Sequence, residues 1–180
     1  MADHYTPPAQ SASRELAFGG LFGAAGLALP FLFHLLHLVH IFMPMYIPVM
    51  ALAFFVRART AGLVGVLVPM VSALTTGMPP LFPPVAPAMA IELGFMAAAL
   101  AALRARFAPV PVLGHVVPVL LLGRLVNAGV LYGFAVIMQL PPAFVAGISF
   151  ISGWPGVILM IVVLPVIARV QAVRPQRKTG

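Results

Sequence analysis

Nine of the ten Lys and Arg residues of this 180-residue chain fall in four places, separated by long apolar intervals. The clusters are Arg14, the pair Arg57/Arg59, the pair Arg104/Arg106, and the terminal group Arg169, Arg174, Arg177 and Lys178; Arg124 alone stands apart. If each interval is an out-and-back pair of spanning helices, every cluster lands on one side of a membrane, as the positive-inside rule requires. The expected fold is therefore an all-α membrane protein of six transmembrane helices, with both termini cytoplasmic.

Composition supports this expectation, because 62% of the residues are hydrophobic and only 7% are charged. A soluble domain of this length has no interior large enough to hide that much apolar surface. The net charge of +7 is the balance of a nucleic-acid binder only at first sight. Its members flank apolar segments, where they meet anionic lipid head groups, so membrane lipid and not nucleic acid is the expected partner. Cysteine is absent, which removes disulfides, thiolate metal sites and a cysteine nucleophile.

A span takes about 20 apolar residues. On that scale the chain divides into segments 16–36, 43–56, 60–76, 87–103, 110–134 and 143–170, inside a membrane domain of residues 13–172. Residues 1–12 are read as a flexible cytoplasmic tail and residues 173–180 as a basic one. The second segment is short, and Pro44 and Pro48 argue against a clean helix through its start. Part of it is expected to be bent or shielded by protein, since unpaired backbone groups cannot face lipid. The outer connections hold no Lys or Arg, and the second of them reads Gly77-Met78-Pro79-Pro80-Leu81-Phe82-Pro83-Pro84. A proline-rich loop of this kind has little entropy left to lose, which suits either the wall of a pocket or a tight connector.

Glu92 and Arg124 are the charges clearly within spans. Each costs about 2.5–3.5 kcal/mol at a helix centre, so each calls for a partner or a watery cavity. Helical rise puts Glu92 about 7 Å and Arg124 about 15 Å below the outer ends of their helices, an offset two extended side chains can close. Asn127, one turn above Arg124, is better placed to bridge. The group reads either as a structural ion pair or as the polar floor of a ligand pocket. An Arg there suits a carboxylate, phosphate or carbonyl-rich ligand.

His34, His37 and His40 recur every three residues where the first helix leaves the membrane. Imidazole binds transition metals and haem iron, so a metal or metallated tetrapyrrole is one ligand class for the cluster; amphipathic rim residues are the other reading. Gly20, Ala24 and Ala28 make a stripe of small residues on the first helix, fit for close approach by another helix, either external or within the bundle. Trp154-Pro155-Gly156 is expected to kink the last helix, with the indole offering a flat surface.

The order Phe42-Met43-Pro44-Met45-Tyr46-Ile47-Pro48-Val49, Gly62-Leu63-Val64-Gly65, Pro69, Thr75-Thr76-Gly77-Met78-Pro79-Pro80 and Ala88-Met89-Ala90-Ile91-Glu92-Leu93 resembles the substrate-binding S components of energy-coupling factor (ECF) transporters. These are small six-helix membrane proteins that capture vitamins and related micronutrients. The resemblance covers about 16–170 and is most specific over 42–93. It implies a vitamin-like ligand taken from the outer side, and it implies a transmembrane coupling subunit and two ATPase subunits as partners. It also implies that the Ala24-x-x-x-Ala28 spacing docks on the coupling subunit, and that Trp154 joins Met78, His37 and His40 as candidate pocket residues beside Glu92, Arg124 and Asn127. The loop pattern is most similar to the branch associated with cobalamin precursors, with Tyr46 where His is expected in close relatives.

The chain has no Gly-x-x-x-x-Gly-Lys-[Ser/Thr] phosphate loop to drive uptake by itself, no His-Glu-x-x-His and no acidic metal cluster. It is read as a binding protein and not an enzyme, with no cofactor. The alternatives from other classes are a small secondary transporter or channel, and metal or haem-type binding through the histidines.

Overall fold

A computed structural model describes residues 12–35, 44–107, 110–139 and 154–173 of the protein. The described residues form six α-helices and no strand: α1 (Ala12–Leu35), α2 (Tyr46–Leu52), α3 (Ala58–Thr76), α4 (Val85–Arg106), α5 (Val112–Ile137) and α6 (Trp154–Val173). Four of these, α1, α3, α4 and α5, are long and apolar enough to cross a membrane, which makes this a multi-pass membrane protein. In α6 the apolar stretch Trp154–Val170 is shorter.

The second expected span, 43–56, is where the structure departs most from the hydropathy reading. Its helical part is the seven-residue α2, about 10 Å long, followed by turns over 53–56. Such a helix cannot cross a bilayer, and it is not asked to face one. Tyr46, Val49, Met50 and Leu52 are completely enclosed, with α1, α3, α4 and α6 all packed against the helix. The expected shielding by protein is thus realised over α2, where every residue but the partly buried Ile47 is buried. Pro48 falls in its first turn, where a missing N–H costs nothing.

Helix directions follow from specific contacts. The Glu15 carboxylate pairs with Arg57 Nε at 3.1 Å and accepts a hydrogen bond from the Thr60 hydroxyl, so α1 and α3 start side by side. Higher up, Gly19 and Gly23 of α1 lie under Val64 and Val68 of α3. The α4 helix runs the other way against α3, with Gly62 facing Ala98 and Gly65 facing Gly94. Its last turn carries Arg104, whose guanidinium lies 4.2 Å from the centroid of the Phe54 ring. The Arg14, Arg57/Arg59 and Arg104/Arg106 clusters therefore share one end of the bundle, as the charge pattern predicts.

At the opposite end Gly77 terminates α3 with φ 73° and donates its N–H to the Ala73 carbonyl at 3.0 Å. Glycine takes this left-handed conformation without steric cost. The Ser72 and Thr76 hydroxyls then donate to the Met78 carbonyl at 2.6 and 3.1 Å, folding the proline-rich loop back over the helix end. The Ala86 N–H, donating to the Pro80 carbonyl at 3.0 Å, closes the loop onto α4.

Candidate binding site: a polar cluster inside the bundle

Close helix approach creates the site. A Cβ added to Gly65 would stand 2.8 Å from both Gly94 Cα and Leu93 O, so α3 and α4 meet backbone to backbone at the two residues that follow Glu92. On the next face of α4, Met96 lies over Gly123 of α5, where a Cβ would collide with the methionine sulfur. The two helices are antiparallel, so stepping one turn from Met96 to Glu92 is matched by one turn from Gly123 to Asn127. Residues 92 and 127 are thereby brought face to face.

Glu92 is completely buried, and its carboxylate collects partners from two elements, α2 and α5. The Tyr46 hydroxyl of α2 donates to Oε2 at 2.6 Å, and Asn127 Nδ2 of α5 donates to the same oxygen at 2.7 Å. Arg124 Nε faces Oε1 at 3.5 Å, and its guanidinium carbon lies 5.7 Å from the centroid of the Tyr46 ring. The tyrosine thus supplies both a donor to the acid and a π face to the cation. Glu92 lies seven residues, about 10 Å, from the proline-loop end of α4, and Arg124 lies thirteen residues, about 20 Å, from the corresponding end of α5. Side-chain reach closes the difference, as the length of the two side chains predicts.

Solvation distinguishes the members. The Arg124 side chain keeps 16% of its exposure and that of Glu92 keeps none, so the arginine is the less enclosed partner of the pair. In an apolar interior an acid and a base at this distance each depend on the other. Removing one leaves an uncompensated charge that costs several kcal/mol, roughly 3–5.

Of the residues predicted from sequence, Glu92, Arg124 and Asn127 come together. Met78 and Trp154 do not join them. Met78 is exposed on the loop at the end of α3, and its backbone carbonyl is what the structure uses. Trp154 is half-exposed at the first described residue of α6, and the expected kink at Trp154-Pro155-Gly156 adjoins 140–153, which lie outside the described residues. His37 and His40 lie outside the described residues, as does the His34 side chain. Among the described residues no group of three or more His, Cys, Asp or Glu could hold a metal ion.

Gly20, Ala24 and Ala28 lie on the exposed side of α1, and a Cβ on Gly20 would meet nothing within 4 Å. The small residues that α1 uses inside the bundle are Gly19, Gly23 and Gly26. The stripe is therefore not internal packing among the described residues.

Sequence reasoning missed Tyr46. A signal was present, since a tyrosine hydroxyl within an apolar segment needs a partner when buried. The Glu15–Arg57–Thr60 clamp was missed as well. His115, which the sequence left without a role, is buried with Nε2 3.2 Å from the Phe107 carbonyl, a contact between α5 and the residue that ends α4.

Comparison with protein-family models, with curated proteins and with solved structures gave no match for the chain.

Proposed function

We propose that the protein is a substrate-binding S component of an ECF-type ABC importer. In this reading it sits in the plasma membrane of a prokaryote with its basic end cytoplasmic, takes up a vitamin or cofactor precursor from the proline-loop side, and passes it to a coupling subunit with two ATPases. The observation that carries the reading is the polar cluster of Tyr46, Glu92, Arg124 and Asn127 within an otherwise apolar bundle. Two of its members, Tyr46 and Glu92, belong to the sequence stretch in which the family resemblance is most specific. Buried ionisable groups in a membrane protein are expensive, and ligand recognition is a function that repays the expense. The outward-facing stripe Gly20, Ala24, Ala28 supports docking on a partner helix, because a smooth helix face permits close van der Waals approach in lipid.

Mass spectrometry of small molecules that co-purify with the protein tests the reading, together with uptake in cells with and without a coupling module. A retained vitamin or precursor, with uptake that needs ATPase subunits, is the expected result. Uptake driven by protons or sodium without them would replace this reading with secondary transport, a function that the burial of Glu92 also suits.

A further inference from the structure

The connection between α3 and α4 has the chemistry of a loop made for lipid. From Gly77 to Ile91 the chain carries no charged, hydroxyl or amide side chain. Phe82 is 73% exposed, Met78 55% and Leu81 45%, so three large apolar side chains stand on its surface. Water is a poor solvent for such a surface, and a loop that leaves water has to bond its own backbone. Pro79, Pro80, Pro83 and Pro84 have no N–H to satisfy. The N–H groups of Gly77, Met78, Val85 and Ala86 donate to Ala73 O, Thr76 Oγ1, Pro83 O and Pro80 O at 3.0, 3.2, 2.6 and 3.0 Å. Beside the loop, the Thr75 and Thr76 hydroxyls turn back on α3 and donate to the Val71 and Ser72 carbonyls, each at 2.8 Å.

The length of α3 sets the level of this loop. From the exposed Arg59 at the basic end to Thr76 the helix rises about 25 Å, and any tilt shortens the crossing. A hydrocarbon core is about 30 Å thick, so α3 ends inside that core or at its boundary. We propose that Met78, Leu81 and Phe82 are immersed in the leaflet opposite the basic end, against lipid acyl chains just below the glycerol level. The connection is then a lipid anchor and not a water-exposed turn, whatever the protein binds or transports.

Spin labelling of the full-length protein in phosphatidylcholine nanodiscs tests this, and the absence of native cysteine keeps each label unique. Nitroxides are placed through Met78→Cys, Leu81→Cys and Phe82→Cys. Leu67→Cys, on the exposed side of mid-α3, is the lipid reference, and Arg106→Cys, at the basic end, is the water reference. Power saturation then compares collisions with molecular oxygen, which concentrates in hydrocarbon, and with a nickel chelate confined to water. Oxygen is expected to dominate at all three loop sites, as at Leu67→Cys. Dominance of the chelate at Phe82→Cys, as at Arg106→Cys, overturns the proposal. Exclusion of both reagents there also overturns it, since that is the mark of a lid on a pocket or of a protein contact. Should the labelled variants fail to fold, Phe82→Trp in a Trp154→Phe background decides. Quenching of its emission by lipids brominated on the acyl chains is expected, and quenching by aqueous iodide alone overturns the proposal.

Discussion

Replacing Gly65 with alanine probes how closely α3 and α4 must meet. The added methyl carbon would lie 2.8 Å from Gly94 Cα, 2.8 Å from Leu93 O and 2.9 Å from Gly94 N, whereas ordinary contact begins near 3.4 Å. All three obstacles are backbone atoms, so no rotamer change relieves them, and the helices must separate by about 0.6 Å or more. Overpacking of this kind costs about 1–3 kcal/mol, against about 0.5–1 kcal/mol gained from alanine's better helix propensity. The expected outcome is a net loss of roughly 1–2 kcal/mol. Two further substitutions calibrate the effect. At Gly94 the nearest obstacle is Val66 Cγ2 at 2.6 Å, the end of an exposed side chain that can turn aside, so Gly94→Ala should cost less. At Gly20 nothing lies within 4 Å, so Gly20→Ala should be neutral or slightly stabilising. Reversible unfolding in mixed micelles, followed through the fluorescence of the single tryptophan, measures all three. Gly65→Ala matching Gly20→Ala in stability would refute the close approach of α3 and α4. Contact with α3 would then no longer explain how α4 is held while Glu92 reaches α2 and α5.

Tyr46→Phe deletes one donor to a buried carboxylate and should cost about 1.5–3 kcal/mol in the same unfolding assay, whereas Arg124→Met, which strands the Glu92 charge, should cost about 3–5 kcal/mol. Reversal of that order would mean that the 3.5 Å ion pair is not what balances Glu92. Glu15→Gln at the basic end should cost under about 1 kcal/mol, because Arg57 remains 66% exposed and water screens the pair. Ala24→Trp with Ala28→Trp should leave thermal stability and ligand affinity unchanged while abolishing uptake; unfolding of this variant would place the stripe inside the bundle.

The parts of this structure that the sequence discloses are those where an energetic penalty is visible in a single residue. Glu92 and Arg124 announce themselves because a charge in an apolar run demands compensation, and a rise per residue suffices to compare their levels. Asn127 follows from the helical period. Tyr46 stayed hidden for a different reason: its level in the bundle depends on α2 being a short enclosed helix, and hydropathy cannot separate a lipid-facing apolar run from a protein-facing one. Pro44 and Pro48 signalled trouble in that segment without saying where its backbone goes. On α1 the ambiguity was of face. Gly19, Gly23 and Gly26 are as small as Gly20, Ala24 and Ala28, and contact with Val64 and Val68 decides which set turns inward. The Glu15–Arg57 pair joins residues that are distant in sequence, and no periodicity connects them.

The enclosure of α2 carries a consequence for biogenesis. At seven residues it is too short to partition into lipid on its own, so it must be kept from hydrocarbon until its neighbours have assembled. One of those neighbours is α6, the last of the described helices to leave the ribosome, which also contributes Val157, Met160 and Leu164 to the shared core. A nascent chain that ends before Trp154 therefore holds its second helix with one wall missing. Such a truncation should be cleared by membrane quality control even though every long span is already in place, because maturation waits on α6 to seal a segment made more than a hundred residues earlier.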